Sequence, residues 1–589
     1  MKRNKILLVV ALLMTITLTT GCSSNDAAIE TPIEQTAKTG EMLFTATIAP
    51  KAAQTRSVNE SGVTTWVVNE QIALYYQKTN NSYGTATANV DAVNGGVATI
   101  SATLSDAKDV GTVKFVYPAT LANATGDDID ATKLATQHGT IADISANFDA
   151  ATATATLATN GTTCGTTATV SFTNRVLIGK FTPKYGGTAI DGITTLTIND
   201  GTRTYTVTPV GSDPFDNQGI YVAMLPVSSQ TVSLTATTAS ENYFYPGKSI
   251  SLTAGKLYNN LTIDMSKHVN LALLTSDCTL YNGDVVSGTL NAATYPVKIS
   301  IAAGATVTLD GVTISGTNVN DDAHKHAGIT CLGNATIILA DGTTNIVKGF
   351  HENYSGIQPA YNTSGDEYTL TIQGTGTLNA STNSISASSG AGIGGGLETK
   401  CGNITISGGT INATGGHSAA GIGSGKFKSC GTITISGGTV NATGGPNAAG
   451  IGSGTDGTCG TITISGGTIE AQGGSDTTYG GAGIGSGYNG ASCNIIINSG
   501  TVTATGGKGS AGIGGYHSQA DLIEITTGVT SVTASKGTGA PTCIGRSNAG
   551  NATGKIIIGG TVWYNNNDYT DSTYGTKLQQ NSYTYPEGT

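Results

Sequence analysis

Three turns carry the residues with which this chain could do chemistry: Asp321-Asp322-Ala-His324-Lys-His326, His351-Glu352 and Asp366-Glu367. Two placed carboxylates hydrolyse a glycosidic bond, and a polysaccharide lyase needs a base, usually with calcium-holding acids beside it. Elsewhere in the surrounding repeats acids are almost absent, and the outward positions are Thr, Ser and Asn. The three turns are therefore read as solvated loop charge. No catalytic residue, cofactor or metal site is assigned. Asp321, Asp322, His324 and His326 stay as candidate ligand contacts. Tyr479, Tyr488 and Tyr516, at neighbouring variable tips, form a second candidate set, as rings able to stack on sugars or as ordinary turn aromatics.

The elements that must position these residues repeat along the chain. Cys401-Gly-Asn-Ile-Thr-Ile-Ser-Gly-Gly-Thr-Ile-Asn-Ala-Thr-Gly-Gly returns almost unchanged from Cys430 and from Cys459, 29 residues apart each time. Such a period, with no helix-favouring segment inside it, marks a stack in which each unit buries its apolar side chains against its neighbours. In one unit Ile433 and Ile435 share a face, as do Val440 and Ala442, and Ala449 and Ile451. Gly437-Gly438 and Gly444-Gly445 fall between these strands as corners. Three short strands with Gly corners close one coil of a parallel β-helix. A propeller blade needs about 40 residues and four strands, too many for this unit.

The Ile of the Ala/Ser-Gly-Ile element recurs at Ile329, Ile357, Ile393, Ile422, Ile451, Ile484 and Ile513, with an echo at Ile544. About nine coils are expected over residues 270–565. Residues 566–589, continuing an aromatic run that begins at Trp563, are expected to cap the open end. Cys401, Cys430, Cys459 and Cys493 occupy one corner of successive coils. Bonded neighbours fit the spacing, but a ladder of reduced, partly buried thiols is the preferred expectation.

Composition limits the function classes. Only 11% of residues are charged, the formal charge is −10, and no Lys/Arg cluster follows the first residues, which excludes a nucleic-acid surface. Lys2, Arg3 and Lys5 precede an apolar run from Ile6 to Leu18, then Gly21-Cys22. Residues 1–21 read as an export signal. The small residues before Cys22 resemble the bacterial lipobox, with Thr19 where Leu is usual. That resemblance implies lipidation of Cys22, an outer-membrane anchor and a cell-surface location. Residues 22–42 read as a tether.

Between residues 43 and 265 many short β-type runs alternate with polar turns, the pattern of antiparallel sandwiches, either one large or two small with a split near residues 155–168. Thr55-Arg56, Thr65-Trp66-Val67-Val68-Asn69-Glu70-Gln71-Ile72-Ala73-Leu74-Tyr75, Phe115-Val116-Tyr117-Pro118, Val170-Ser171-Phe172-Thr173-Asn174 and Ala254-Gly255-Lys256-Leu257-Tyr258 follow in order. This succession resembles fimbrillin-like proteins, with Asn69-Glu70 where that family usually has Gly-Asp. The resemblance implies two fimbrillin/transthyretin-like sandwiches, a role in surface fimbriae or related adhesive structures, and other fimbrial subunits as partners. It also marks Arg56 as a residue where some members are trimmed.

Ala305-Thr-Val-Thr-Leu-Asp-Gly-Val-Thr-Ile314 and Asn334-Ala-Thr-Ile-Ile-Leu-Ala-Asp-Gly-Thr-Thr-Asn345 resemble the opening coils of non-catalytic, carbohydrate-binding β-helix proteins. The whole reading is an all-β chain, with N-terminal antiparallel sandwiches followed by a parallel β-helix. It describes a surface lipoprotein that is no enzyme and acts as an adhesin, fimbria-associated or stalk-anchored. Its expected ligands are host or bacterial surface glycans or proteins. A glycan-capturing protein of nutrient uptake is the second reading, and a polysaccharide lyase the third.

Overall fold

The computed structural model describes residues 40–50, 65–291, 297–316, 322–361, 368–383, 388–397, 399–491, 493–516, 521–545, 554–566 and 568–588. The export segment, Cys22, Arg56, Asp321, Asp366 and Glu367 lie outside them. Nearly everything described is β, and the apolar residues gather into three cores.

The first core begins with the strand Glu41–Ile48, whose strict alternation buries Met42, Phe44, Ala46 and Ile48. That strand pairs antiparallel with Val97–Ser105 and parallel with Thr163–Thr166. Around the sheet, Val110–Tyr117 finally pairs with Ala151–Asn160, so the sheet closes on itself and the first sandwich is a barrel. Three of the spaced motifs meet inside it. Trp66 packs edge-on against Tyr117 at 5.0 Å and Phe172 at 5.5 Å, and its indole N–H donates to the Ala49 carbonyl. Asn69 has φ +74°, a left-handed position that Asn tolerates better than most residues. Glu70 then accepts from the Tyr117 hydroxyl at 2.5 Å and from the Val67 N–H at 2.8 Å. Asn69-Glu70 thus supplies the turn and the acceptor with different residues.

Residues 119–150 leave the barrel and bury Leu121, Leu134, Ile144 and Phe148 in the second core, beside Leu177, Phe181, Tyr205 and Val222. The chain returns for Ala151–Asn160 and Thr163–Thr166, then enters the second body for good near Val176. A boundary at 155–168 therefore falls inside two barrel strands. Ala151–Asn160 pairs with Val110–Tyr117 along eight residues, a non-local contact that composition does not show.

The chain between the second sandwich and the first coil is itself a strand, Ser266–Asn270. It pairs antiparallel with Asn242–Leu252 of the second sandwich and parallel with Val285–Thr289 of the β-helix, so one sheet runs through both bodies. The open end of the first coil is covered by this strand, as an exposed sheet edge requires. Asp284 sits at the junction, fully buried. Its Oδ2 accepts from the Tyr185 hydroxyl (2.7 Å) and the Tyr281 N–H (2.8 Å), and its Oδ1 from the Lys267 N–H (2.7 Å). Tyr185 in turn packs against Tyr243 and Tyr281, with the Lys267 ammonium 5.0 Å from its ring centre.

Asp284→Ala leaves two half-buried N–H groups and the Tyr185 hydroxyl without their acceptor and is expected to cost about 2–4 kcal/mol. Faster limited proteolysis between the second sandwich and the first coils would report the opened junction; unchanged cleavage would refute the assignment. Burial raises the Asp284 pKa above the ordinary carboxylate value, partly offset by its three donors. A raised folded pKa adds stability that is present below the unfolded value and is lost as pH rises through the folded one. The stability difference between wild type and Asp284→Asn is therefore expected to be larger at acidic than at neutral pH, measured by denaturant unfolding across that range.

The β-helix has three faces. On one, Ala305–Ile314, Ala335–Leu339, Thr369–Gly374, Asn403–Ile406, Ile433–Ile435 and their successors to Lys555–Ile558 pair parallel and in register. A second stacks Thr344–Lys348, Thr377–Ser381, Thr410–Thr414 and Thr439–Thr443. The third is a ten-stranded ladder, mostly two-residue Ile-Gly strands, ending at Ile544–Gly545. The interior is Ile on Ile: Ile422, Ile451, Ile484 and Ile513 are all fully buried.

The cap starts earlier than residue 566. Thr561–Asn565 already turns antiparallel onto Lys555–Ile558, a short helix Ser572–Leu578 follows, and Ser582–Tyr585 closes antiparallel over Ser531–Ser535. Trp563 stacks on Tyr574 at 4.4 Å, which accounts for the aromatic run as cap packing.

The Cys corner differs from the preferred expectation. Cys401 is bonded to Cys430 and Cys459 to Cys493, with Cα separations of 4.7 and 5.6 Å. Parallel in-register stacking brings corner residues of adjacent coils to the distance a disulfide accepts, and four thiols in one column pair two by two. Cys164, Cys278, Cys331 and Cys543 are free.

Candidate aromatic contact site

The two candidate sets have different fates. His326 is turned inward: 8% exposed, it packs on the Phe350 ring at 4.2 Å, and its Nδ1 is 3.0 Å from the Ala327 carbonyl. Burial lowers its pKa, which keeps the imidazole neutral. His324 lies 6.5 Å from the same Phe350 ring. His351 is buried as well and accepts from the Asn353 N–H. The Phe350 N–H donates to the His326 carbonyl, so the first two turns do meet at one edge. Their imidazoles serve packing there. Asp322 opens a short 3-10 turn ending at His324. Among the described residues no group of three or more His, Cys, Asp or Glu is placed to hold a metal ion.

The tyrosines do come together. Tyr479 and Tyr488 flank the two-residue strand Ile484–Gly485, and Tyr516 follows Ile513–Gly514 on the next coil. Because each strand is so short, the turns on either side converge. Ring centres lie 4.1 Å apart for Tyr479 and Tyr488, 5.3 Å for Tyr488 and Tyr516, and 5.8 Å for Tyr479 and Tyr516. All three are half-buried. Rings this close pack on one another and leave no room for a guest between them. The cluster is a platform of three rings packed on one another at this edge.

The platform is held by the backbone. Asp476 Oδ1 accepts from the N–H groups of Thr478 (2.5 Å) and Tyr479 (2.6 Å), an Asx turn that fixes Tyr479. Tyr488 donates its N–H to the Asn447 carbonyl and accepts from the Asp456 N–H, each at 2.9 Å. Tyr516 lies over Gly509, where a Cβ would sit 2.4 Å from its ring, so this tip needs Gly for space and for its φ of +75°. A hydrogen bond to Tyr479 comes first among the causes that raise the Tyr488 pKa; burial comes first for Tyr516. Both hydroxyls stay protonated, able to donate, at neutral pH.

Sequence reasoning missed Asp476, Asn447, His417 and Lys508 at this edge. The Asn447 N–H donates to the His417 carbonyl at 3.2 Å, the Lys508 N–H donates to Ser475 Oγ at 2.8 Å, and Lys508 Nζ donates to the Thr477 carbonyl. Their signal was available, since His417, Asn447, Asp476 and Lys508 each follow the Gly-Gly corner by one or two residues. The outward Asn residues of the second face are largely spent on one another. Asn412 Nδ2 donates to Asn379 Oδ1 and Asn441 Nδ2 to Asn412 Oδ1, both at 2.8 Å.

A β-helix repeat family matches residues 404–426, 433–455, 462–488 and 495–515, the most regular coils. No curated protein matches the chain. Solved structures similar to it include a proposed cell adhesion protein from Bacteroides ovatus (13% identity, 39% of this chain, 95% of that one, TM-score 0.23). A fimbrial assembly protein from Parabacteroides distasonis is similar at 12% identity over 38% of this chain and 90% of that one, TM-score 0.20. A fimbrial protein from Bacteroides ovatus shows 14% identity over 38% of this chain and 49% of that one, TM-score 0.20. The fold stated above rests on the strand pairing, which defines a β-barrel and a second β-domain joined by a continuous sheet to a capped parallel β-helix.

Proposed function

We propose that this chain is a cell-surface adhesin whose β-helix presents the Tyr479, Tyr488 and Tyr516 platform to a glycan. The convergence of three rings from separate turns at one solenoid edge carries this reading. Clustered rings offer apolar area to the C–H face of a sugar, while protonated hydroxyls and nearby carboxylates serve its hydroxyl groups. The barrel and second β-domain act as the stalk, and lipidation at Cys22, with anchoring in the outer membrane, would hold it at the surface. Other fimbrial subunits are partners on the same reading. Binding without catalysis accords with the inward packing of His326 and His351.

A glycan array probed with the full chain tests this. Binding of at least one glycan class is expected, with affinity falling about tenfold or more in Tyr488→Ala, as for truncation of a central aromatic contact. A blank array, or Tyr488→Ala binding like wild type, would sink the platform as the ligand site.

A further inference from the structure

The second β-domain and the first coils enclose a cleft at their junction. The hairpin turn at Gly186 rests directly on the Tyr281 ring, where a Cβ on Gly186 would lie 2.5 Å from it. Beneath that overhang is a cavity of about 390 Å³, floored by the small residues 302–305. It shares Gly304 and Ala305 with a second hollow of about 310 Å³ on the adjoining face of the solenoid, lined by Asn334, Thr336 and Thr371. Each is within the usual size of a small-molecule site.

The lining is nearly uncharged: small and apolar residues with Asn282 in the first hollow, Asn and Thr in the second. Asn282 Oδ1 accepts from the Thr306 N–H at 3.0 Å and Asn334 Oδ1 from the Thr369 N–H at 2.8 Å, which orients both amides and leaves each Nδ2 to donate. Among the described residues no Lys, Arg or His lines either hollow, and Asp264 is the one carboxylate at the wall. A polyanion would therefore meet no cation there and would be repelled. From the cleft, Thr306, Thr336, Thr371, Thr405, Thr434 and Thr463 continue along the solenoid as one in-register outward column. Its rungs are about 4.8 Å apart, close to the length of one sugar in an extended glycan.

We infer that this cleft is a second binding site, separate from the tyrosine platform, which takes the end of an uncharged polysaccharide and lays the following sugars along the threonine column. Tyr281 forms the apolar wall, the two Asn amides donate, and the Thr hydroxyls both donate and accept.

The test uses the full chain in a Tyr488→Ala background, titrated with cellohexaose and mannohexaose as neutral probes and hexagalacturonate as the acidic one. Retained binding of at least one neutral probe is expected. It should weaken at least about tenfold on Ala303→Trp, which fills the cleft from an exposed position, and more modestly on Thr371→Val, which removes one hydroxyl. Loss of all neutral binding in the Tyr488→Ala background would overturn the cleft while leaving the platform standing. Equal binding with and without both cleft substitutions, or preference for hexagalacturonate, would overturn it too. Should Ala303→Trp fail to fold, the Thr371→Val titration decides alone.

Discussion

Gly452→Ala is expected to unfold the solenoid at far lower denaturant than wild type, costing about 4 kcal/mol or more, the range reserved for severe backbone conflict. Gly452 has φ +136°, and a Cβ there would sit 1.8 Å from the Gly485 carbonyl oxygen of the next coil. Gly394, Gly423, Gly485 and Gly514 repeat this geometry with φ between +132° and +141° and a carbonyl at 1.8 to 2.1 Å. The stack has no slack along this line, because each coil's carbonyl occupies the space a side chain would need. Gly342→Ala separates strain from clash: its φ is +68° but nothing lies within 4 Å of the added Cβ, so about 1–2 kcal/mol is expected. Of the two tryptophans, Trp66 reports the barrel and Trp563 the solenoid cap, so fluorescence in a Trp66→Phe background follows the solenoid alone. Equal costs at Gly452 and Gly342 would refute the close stacking.

Reduction of both disulfides is expected to have the next largest effect. Cys401–Cys430 and Cys459–Cys493 close loops of 29 and 34 residues, each worth about 3–4 kcal/mol on the chain-entropy model. The double variant Cys430→Ala with Cys493→Ala should unfold at markedly lower denaturant than the oxidised protein and should no longer respond to reductant. An oxidised wild type that unfolds no later than its reduced form would show that the bonds add nothing. Ile451→Ala offers a scale for comparison, since emptying one fully buried Ile rung should cost about 2–5 kcal/mol.

Much of the β-helix was legible because its signal is local and repeated. Ile433 and Ile435 alternate as a strand must, Gly437-Gly438 turns a corner, and the 29-residue interval returns them to the same place. The tyrosine platform was legible for the same reason, since Tyr488 and Tyr516 hold nearly the same offset from Ile484 and Ile513. The barrel was less so. Its closing pair joins residues 110–117 to residues 151–158, with an excursion between them that belongs to another core. His326 looked like a ligand contact because exposure cannot be read from residue type. A neighbouring Phe350 ring drew His326 inward.

By itself, then, the sequence determined the class of structure: period, strand alternation and Gly corners admit a stacked β-coil, and the aromatic motifs around Trp66 admit a β-core before it. Only the tertiary structure decided which thiols bond, where the barrel ends, that residues 266–270 are a shared strand, and that a cleft opens beside Tyr281. The physical reason is common to all four. Each depends on the contact between segments far apart in the chain, and the local pattern that specifies a strand is silent about which strand it will meet.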